Sequence, residues 1–233
     1  MTSDDPGPRP LYLLADSQLL FWKPATGFYL SSILQGSGRP RPNVAYLGAS
    51  NGDSPEAYAI FRAAMDQVEA ADVRGISSSP TNDDFKFLEE ADVVLLAGGD
   101  PEAGWNVFTR TGLRERIENR YRKGAVLIGV SAGAVQFGAH ATVQGDSGGS
   151  RLVETFGFVN LIVDVHDEKQ DWRTLAGTIH LLEGTAVGIG IPRGGGLIVH
   201  PDGMLEPIRH GVEEFTYVAG KLRRSVLLPG LAT

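Results

Sequence analysis

Ala125-Val126-Leu127-Ile128-Gly129-Val130-Ser131-Ala132-Gly133-Ala134-Val135-Gln136 is the stretch on which the reading of this chain turns. Its first half, Ala125 to Val130, is apolar and β-branched, as a strand covered on both faces requires. It stops at Ser131 and small residues follow, so a strand passes into a helix through a tight turn. Gly129 to Gly133 fits G-x-S-x-G, the elbow that holds up a nucleophilic serine. At either flank of such a turn a Cβ would collide with the neighbouring strand or helix. The serine stands at the head of the next helix, where unpaired N–H groups and the positive end of the dipole favour a developing oxyanion. A serine in that place also serves as a plain N-cap. The pentapeptide therefore needs support from the rest of the chain.

Upstream, Leu11 to Ala15 and Asn43 to Leu47 read as strands, and Val73 to Ile76 as a weaker one. Phe28 to Leu34 reads as a short helix. Asp53 or Ser54 can cap a helix with Pro55 at its first position, and Tyr58, Phe61, Ala64, Met65 and Val68 recur at helical spacing. Asn82 to Glu90 is a further short helix. Ala91 to Ala97 is a buried strand ending at Gly98-Gly99-Asp100-Pro101, followed by helices from Pro101 to about Phe108 and from Leu113 to Arg122. Downstream of the elbow lie a polar, glycine-rich segment (Gly145 to Ser150), a strand from Leu161 to Val165 leading into His166, and a helical pattern from Asp171 to Leu182. From Thr185 onward, apolar runs broken by glycine clusters read as antiparallel hairpins.

Strands alternating with helices predict an α/β fold: three layers, a doubly wound and mainly parallel sheet, helices on both faces, antiparallel hairpins near the C-terminus. Ligands bind such sheets at the carboxyl ends of the strands. Gly98-Gly99-Asp100, Ser131 and His166 all close strands, and their convergence on one edge raises the serine above a cap.

The 233 residues suit one domain over 11–233, preceded by an acidic, proline-rich leader over 1–10 that reads as disordered. With 21 basic against 28 acidic side chains the net charge is −7, which argues against a nucleic-acid partner. The absence of cysteine excludes disulfides, thiolate catalysis and cysteine-held metals. No apolar run approaches the roughly 20 residues of a membrane span, and the leader lacks the basic and apolar regions of a signal peptide. The expectation is a cytoplasmic protein without membrane association. The histidines besides His166 form no His-x-x-x-His pair, so no metal or other cofactor is expected. Trp105 is expected to anchor its helix on the sheet, close enough to Gly99 to line a pocket.

The segments Leu96-Ala97-Gly98-Gly99-Asp100, Gly129-Val130-Ser131-Ala132-Gly133-Ala134, Ile162-Val163-Asp164-Val165-His166 and Gly188-Ile189-Gly190-Ile191 resemble, in order and spacing, peptidase family S51. This family comprises the aspartyl dipeptidases (peptidase E) and cyanophycinases, serine peptidases with a class I glutamine amidotransferase-like fold. The resemblance implies Ser131 as nucleophile, His166 as its general base, and the backbone N–H groups of Gly99 and Ala132 as oxyanion hole. It implies hydrolysis of short peptides or isopeptides with an acidic preference, through an acyl-enzyme, by a protein that can form homodimers. Those roles suit the chemistry, since a serine hydroxyl needs a base to take its proton and preorganised donors to hold the oxyanion.

The sequence departs from the family at the third triad member. The glutamate usual after Gly-Ile-Gly-Ile is replaced by Arg193, which cannot accept an imidazole N–H. Asp146, Glu154, Asp164 and Asp167 are the alternatives. Asp146 is preferred because related dipeptidases carry an aspartate at a similar offset from the serine. Asp164, two residues before His166, would share its face on a continuous strand. Asp100, Arg173 and Arg193 are the candidate substrate-binding residues, the two arginines as carboxylate clamps. Gly-Gly-Asp leans towards the cyanophycinases, whereas the acidic run Asp167 to Asp171 weakens a polyanionic polymer as substrate. A non-catalytic, amidotransferase-like binding domain is the alternative outside the hydrolases.

Overall fold

The computed structural model describes residues 7–144 and 150–230. In chain order the strands and helices are β1 (Leu11–Leu14), α1 (Tyr29–Gln35), β2 (Asn43–Leu47), α2 (Pro55–Met65), β3 (Asp72–Ile76), α3 (Asn82–Glu90) and β4 (Val93–Leu96). There follow α4 (Pro101–Thr111), α5 (Leu113–Arg122), β5 (Val126–Val130), α6 (Ala132–Gln136), β6 (His140–Gln144), β7 (Ser150–Glu154) and β8 (Leu161–Val165). The last elements are α7 (Arg173–Leu182), β9 (Val187–Ile191), β10 (Gly196–Val199), β11 (Leu205–Ile208), β12 (Val212–Val218) and β13 (Lys221–Leu227).

A seven-stranded sheet in the order β11-β10-β1-β5-β4-β2-β3 forms the centre. The pairings among β1, β5, β4, β2 and β3 are parallel, and β10 and β11 add an antiparallel edge. Side chains alternate between two cores as strand geometry demands. Leu14, Val93, Leu95, Val126 and Ile128 face α1 and α2, while Leu13, Val94, Leu96 and Leu127 face α4 and α5. Both faces are covered, which is why these strands read as unbroken apolar runs. Among the described residues no helix is long and apolar enough to cross a membrane.

The structure corrects the sequence reading in two places. The strand before His166 belongs to a second sheet, ordered β13-β12-β9-β8, so Ser131 and His166 do not close strands of one sheet. Within it β9 runs parallel to β8, connected through α7, so the antiparallel hairpins begin only after β9. The glycine-rich segment read at Gly145 to Ser150 lies, apart from Ser150, outside the described residues; the strands on either side of it, β6 and β7, pair antiparallel. Of the leader read over 1–10, residues 1–6 lie outside the described residues, while Arg9 donates through Nε to the Gly124 carbonyl at 2.7 Å and through Nη1 to that of Gly36.

Gly188 and Gly190 make the second sheet possible. A Cβ on Gly188 would lie 2.6 Å from Ile179, and one on Gly190 would lie 2.7 Å from the Trp172 ring. Their bare backbone lets α7 pack flat on β9, while Ile189 and Ile191 face the core shared with the central sheet. The Gly-Ile-Gly-Ile motif is thus a packing device that fixes the platform carrying His166.

Candidate active site

β5 lies between β1 and β4, and its end delivers Ser131 to the middle of the carboxyl edge. Ser131 adopts φ 51°, ψ −112°, a conformation that costs a non-glycine residue on the order of 1–3 kcal/mol and is kept only where its surroundings enforce it. The enforcement is visible. Its N–H donates to the Leu14 carbonyl at 2.9 Å, and its carbonyl accepts from Ala134 N–H at 2.9 Å and Val135 N–H at 3.1 Å. The flanking glycines are required by contact: a Cβ on Gly129 would lie 2.5 Å from the Ala134 nitrogen, and one on Gly133 would lie 2.2 Å from the Leu96 carbonyl oxygen.

Ser131 Oγ stands 3.0 Å from His166 Nε2. His166 follows directly on β8 with φ 48°, and its N–H donates to the Ile191 carbonyl at 2.9 Å. The left-handed backbone turns the imidazole out of the strand pattern and across to the serine.

Gly99 reaches the serine from the end of β4. It holds φ +134°, and a Cβ there would sit 2.0 Å from the Ser50 carbonyl oxygen. That carbonyl belongs to a short 3-10 turn, Ala49–Asn51, and accepts the Asp100 N–H at 2.7 Å. Among the described residues, the N–H groups of Gly99 and Ala132 donate to no protein acceptor, and both residues line one cavity with Ser131 and His166. α6 has only five residues, so its N–H groups rather than a long helix dipole supply the positive character.

Ser50 and Gln136 hold this loop, and the sequence reading missed both. Gln136, 0% exposed, donates through Nε2 to Ser50 Oγ at 3.2 Å and to the Pro101 carbonyl at 2.8 Å. A buried amide must find partners, and this one ties the elbow helix to the turn behind Gly99 and to the start of α4. Gly104 leaves room for it, because a Cβ there would lie 2.1 Å from Ser50 Oγ. A lone glutamine closing a run of small apolar residues was the available signal.

The acid candidates fall differently. Asp146 lies outside the described residues. Glu154 sits at an exposed position and pairs with Arg114 at 3.4 Å. Asp164 lines the His166 cavity and accepts the Val165 N–H at 2.9 Å. Burial first, and then the neighbouring Asp167 charge, push its carboxyl up to about 6 against the opposing hydrogen bond. Asp167 lines the same cavity. Among the described residues His166 Nδ1 has no hydrogen-bond partner.

The candidate substrate residues are not among the described residues that line the two cavities at Ser131. Asp100 accepts from the Glu102 and Ala103 N–H groups at 2.8 and 3.1 Å, which makes its carboxylate the cap of α4. Arg173 is exposed at the start of α7, and Arg193 is exposed in the turn between β9 and β10. Neither is among the described residues lining the two cavities that meet at Ser131. Trp105 packs edge-on against Phe156, with ring centroids 5.1 Å apart, in the core rather than in either cavity.

The fold has known counterparts. The crystal structure of a peptidase from an acI-B1 Actinobacterium superposes with a TM-score of 0.74 at 18% identity, covering 99% of this chain and 98% of that one. A putative peptidase E protein from Listeria monocytogenes EGD-e gives 0.62 at 14% identity, over 87% of this chain and 98% of that one. At such identities the likeness is one of fold. An uncharacterized peptidase, YgaJ, from Bacillus subtilis (strain 168) is 27% identical over 104 residues, an alignment covering 44% of this chain and 45% of that protein. The model of peptidase family S51 matches residues 25–206, well over half of the sequence, and the chain belongs to that family.

Proposed function

We propose that this peptidase is a serine hydrolase of short peptides in which Ser131 is the nucleophile and His166 the general base. The observation that carries this reading is the 3.0 Å contact between Ser131 Oγ and His166 Nε2 at a strained elbow. With the ring proton on Nδ1, Nε2 takes the hydroxyl proton as Oγ bonds to the scissile carbonyl carbon. The oxyanion is received by the N–H groups of Gly99 and Ala132, each such donor being worth on the order of 10²–10³ in kcat. The imidazolium then protonates the departing amine, the C–N bond breaks, and water hydrolyses the acyl-Ser131 ester by the same route.

The imidazolium needs a partner at Nδ1. Asp146, at an offset from the serine similar to that of an aspartate in related dipeptidases, is the acid of the proposal. Asp146→Ala is expected to lower kcat by about 10²–10⁴-fold with a smaller change in KM; unchanged kinetics would remove it from the role. An acidic substrate preference and a cyanophycinase-like polymer activity both call for a cation near Ser131. No described lining residue supplies one.

Purified protein assayed on a dipeptide and short-peptide panel tests the reading. Ser131→Ala and His166→Ala should each abolish turnover, to within about tenfold of one another, because the pair acts as a unit. A second reading, a non-catalytic amidotransferase-like domain, is favoured by Arg193 at the family's usual acid position. It prevails if the wild type is as inactive as the mutants.

A further inference from the structure

Two cavities of about 330 Å³ each meet at Ser131, and they differ in chemistry. One contains His166 with the carboxylates of Asp164 and Asp167. The other opens between α2, β4 and the turn after β1, and its wall is formed by Leu20, Tyr46, Ala57, Ile60, Phe61 and Leu95. Gly98, Gly99 and Ser131 form its floor towards the chemistry.

The side chains of Asp16, Asn51 and Tyr46 in this second cavity are already committed to one another or to the backbone. Asp16 accepts from Gln18 N–H at 2.8 Å, from Gln18 Nε2 at 3.1 Å and from Gly194 N–H at 2.9 Å. Asn51 donates to the Tyr46 hydroxyl at 3.3 Å and accepts the Ser54 N–H at 3.0 Å. No lysine or arginine stands among its described lining residues. A substrate carboxylate placed there would lose water, find no cationic partner and meet the Asp16 charge, which is unfavourable. An aliphatic or aromatic side chain would exchange water for a matching wall. At the mouth, Ile60 is 47% exposed, an apolar side chain left on the surface where a ligand could cover it.

We infer that the cavity walled by Leu20, Tyr46, Ala57, Ile60, Phe61 and Leu95 is a side-chain subsite, and that the peptidase selects substrates with a neutral apolar residue beside the scissile bond instead of an acidic one. The inference rests on the serine-hydrolase reading and specifies its substrate class. Ala57 and Ile60 are the specificity-determining positions, since both lie on the outer face of α2 at the cavity mouth.

The test pairs an active-site probe with a substrate series. A fluorophosphonate reports on Ser131 whatever fills the side-chain pocket. Quenched peptides varied to Leu, Phe, Ala, Asp or Glu at each position flanking the bond report the preference. Leu or Phe at one of these positions should exceed Asp and Glu in kcat/KM by about tenfold or more. Ala57→Phe, which fills the cavity, should lower the Phe-to-Ala preference at that position by about tenfold. Ile60→Lys, on the solvent side of the helix and so independent of core packing, should raise the Asp-to-Leu ratio. Probe labelling together with a wild-type preference for Asp or Glu overturns the inference and leaves the serine mechanism standing, as does a ratio unmoved by both variants. Absence of both labelling and cleavage overturns the mechanism, and the inference with it.

Discussion

Gly99 shows how closely one residue is specified at this site. Its φ of +134° and the 2.0 Å approach that a Cβ would make to the Ser50 carbonyl oxygen leave no room for alanine. Gly99→Ala must displace either the Gly98–Asp100 loop or the turn behind it. The expected result is a stability loss of about 2 kcal/mol or more, together with a fall in kcat of at least about a hundredfold from a misplaced N–H donor. Wild-type kinetics in this variant would show that the N–H takes no part. Ser131, His166 and the two glycines of the elbow were legible as residues, because each occupies a position its chemistry makes nearly unique. Gln136 and Ser50 were not. Their importance lies in a hydrogen bond between segments far apart in sequence, and no local pattern encodes that.

At the scale of elements, the four parallel strands β1, β2, β4 and β5 were readable because burial on both faces leaves each an unbroken apolar run. The second sheet was not readable as separate. β8, α7 and β9 form a parallel unit with the same periodicities as the units of the central sheet, and only tertiary pairing tells them apart. This sheet also stores a testable pH dependence. Asp164, at the end of β8, has its carboxyl raised from 3.8 to about 6 by burial. The folded protein therefore holds that proton more tightly than the unfolded chain, and stability from this group falls as pH rises from about 4 to 6. Asp164→Asn removes the titration. Its Tm relative to wild type should be higher at pH 7.5 than at pH 4, by the equivalent of about 2 kcal/mol. A difference that does not change with pH would show that the carboxyl titrates normally.

Across the whole molecule, one mainly parallel sheet supplies Ser131 and its glycine loop, and a second supplies His166. The core shared by Leu127, Ala134, Val163 and Ile189 holds the two sheets in register. The sequence order of these pieces was legible, and so was the doubly wound character of the central sheet. Their meeting point depends on how the sheets pack, which neither composition nor periodicity reports. We propose that this packing creates an activated serine. Intact-mass analysis after brief exposure to a fluorophosphonate measures that activation without any assumption about substrate. One adduct on Ser131 is expected in the wild type, none in Ser131→Ala, and formation at least about a hundredfold slower in His166→Ala. An unlabelled wild type, or labelling that proceeds equally fast without His166, would contradict the account.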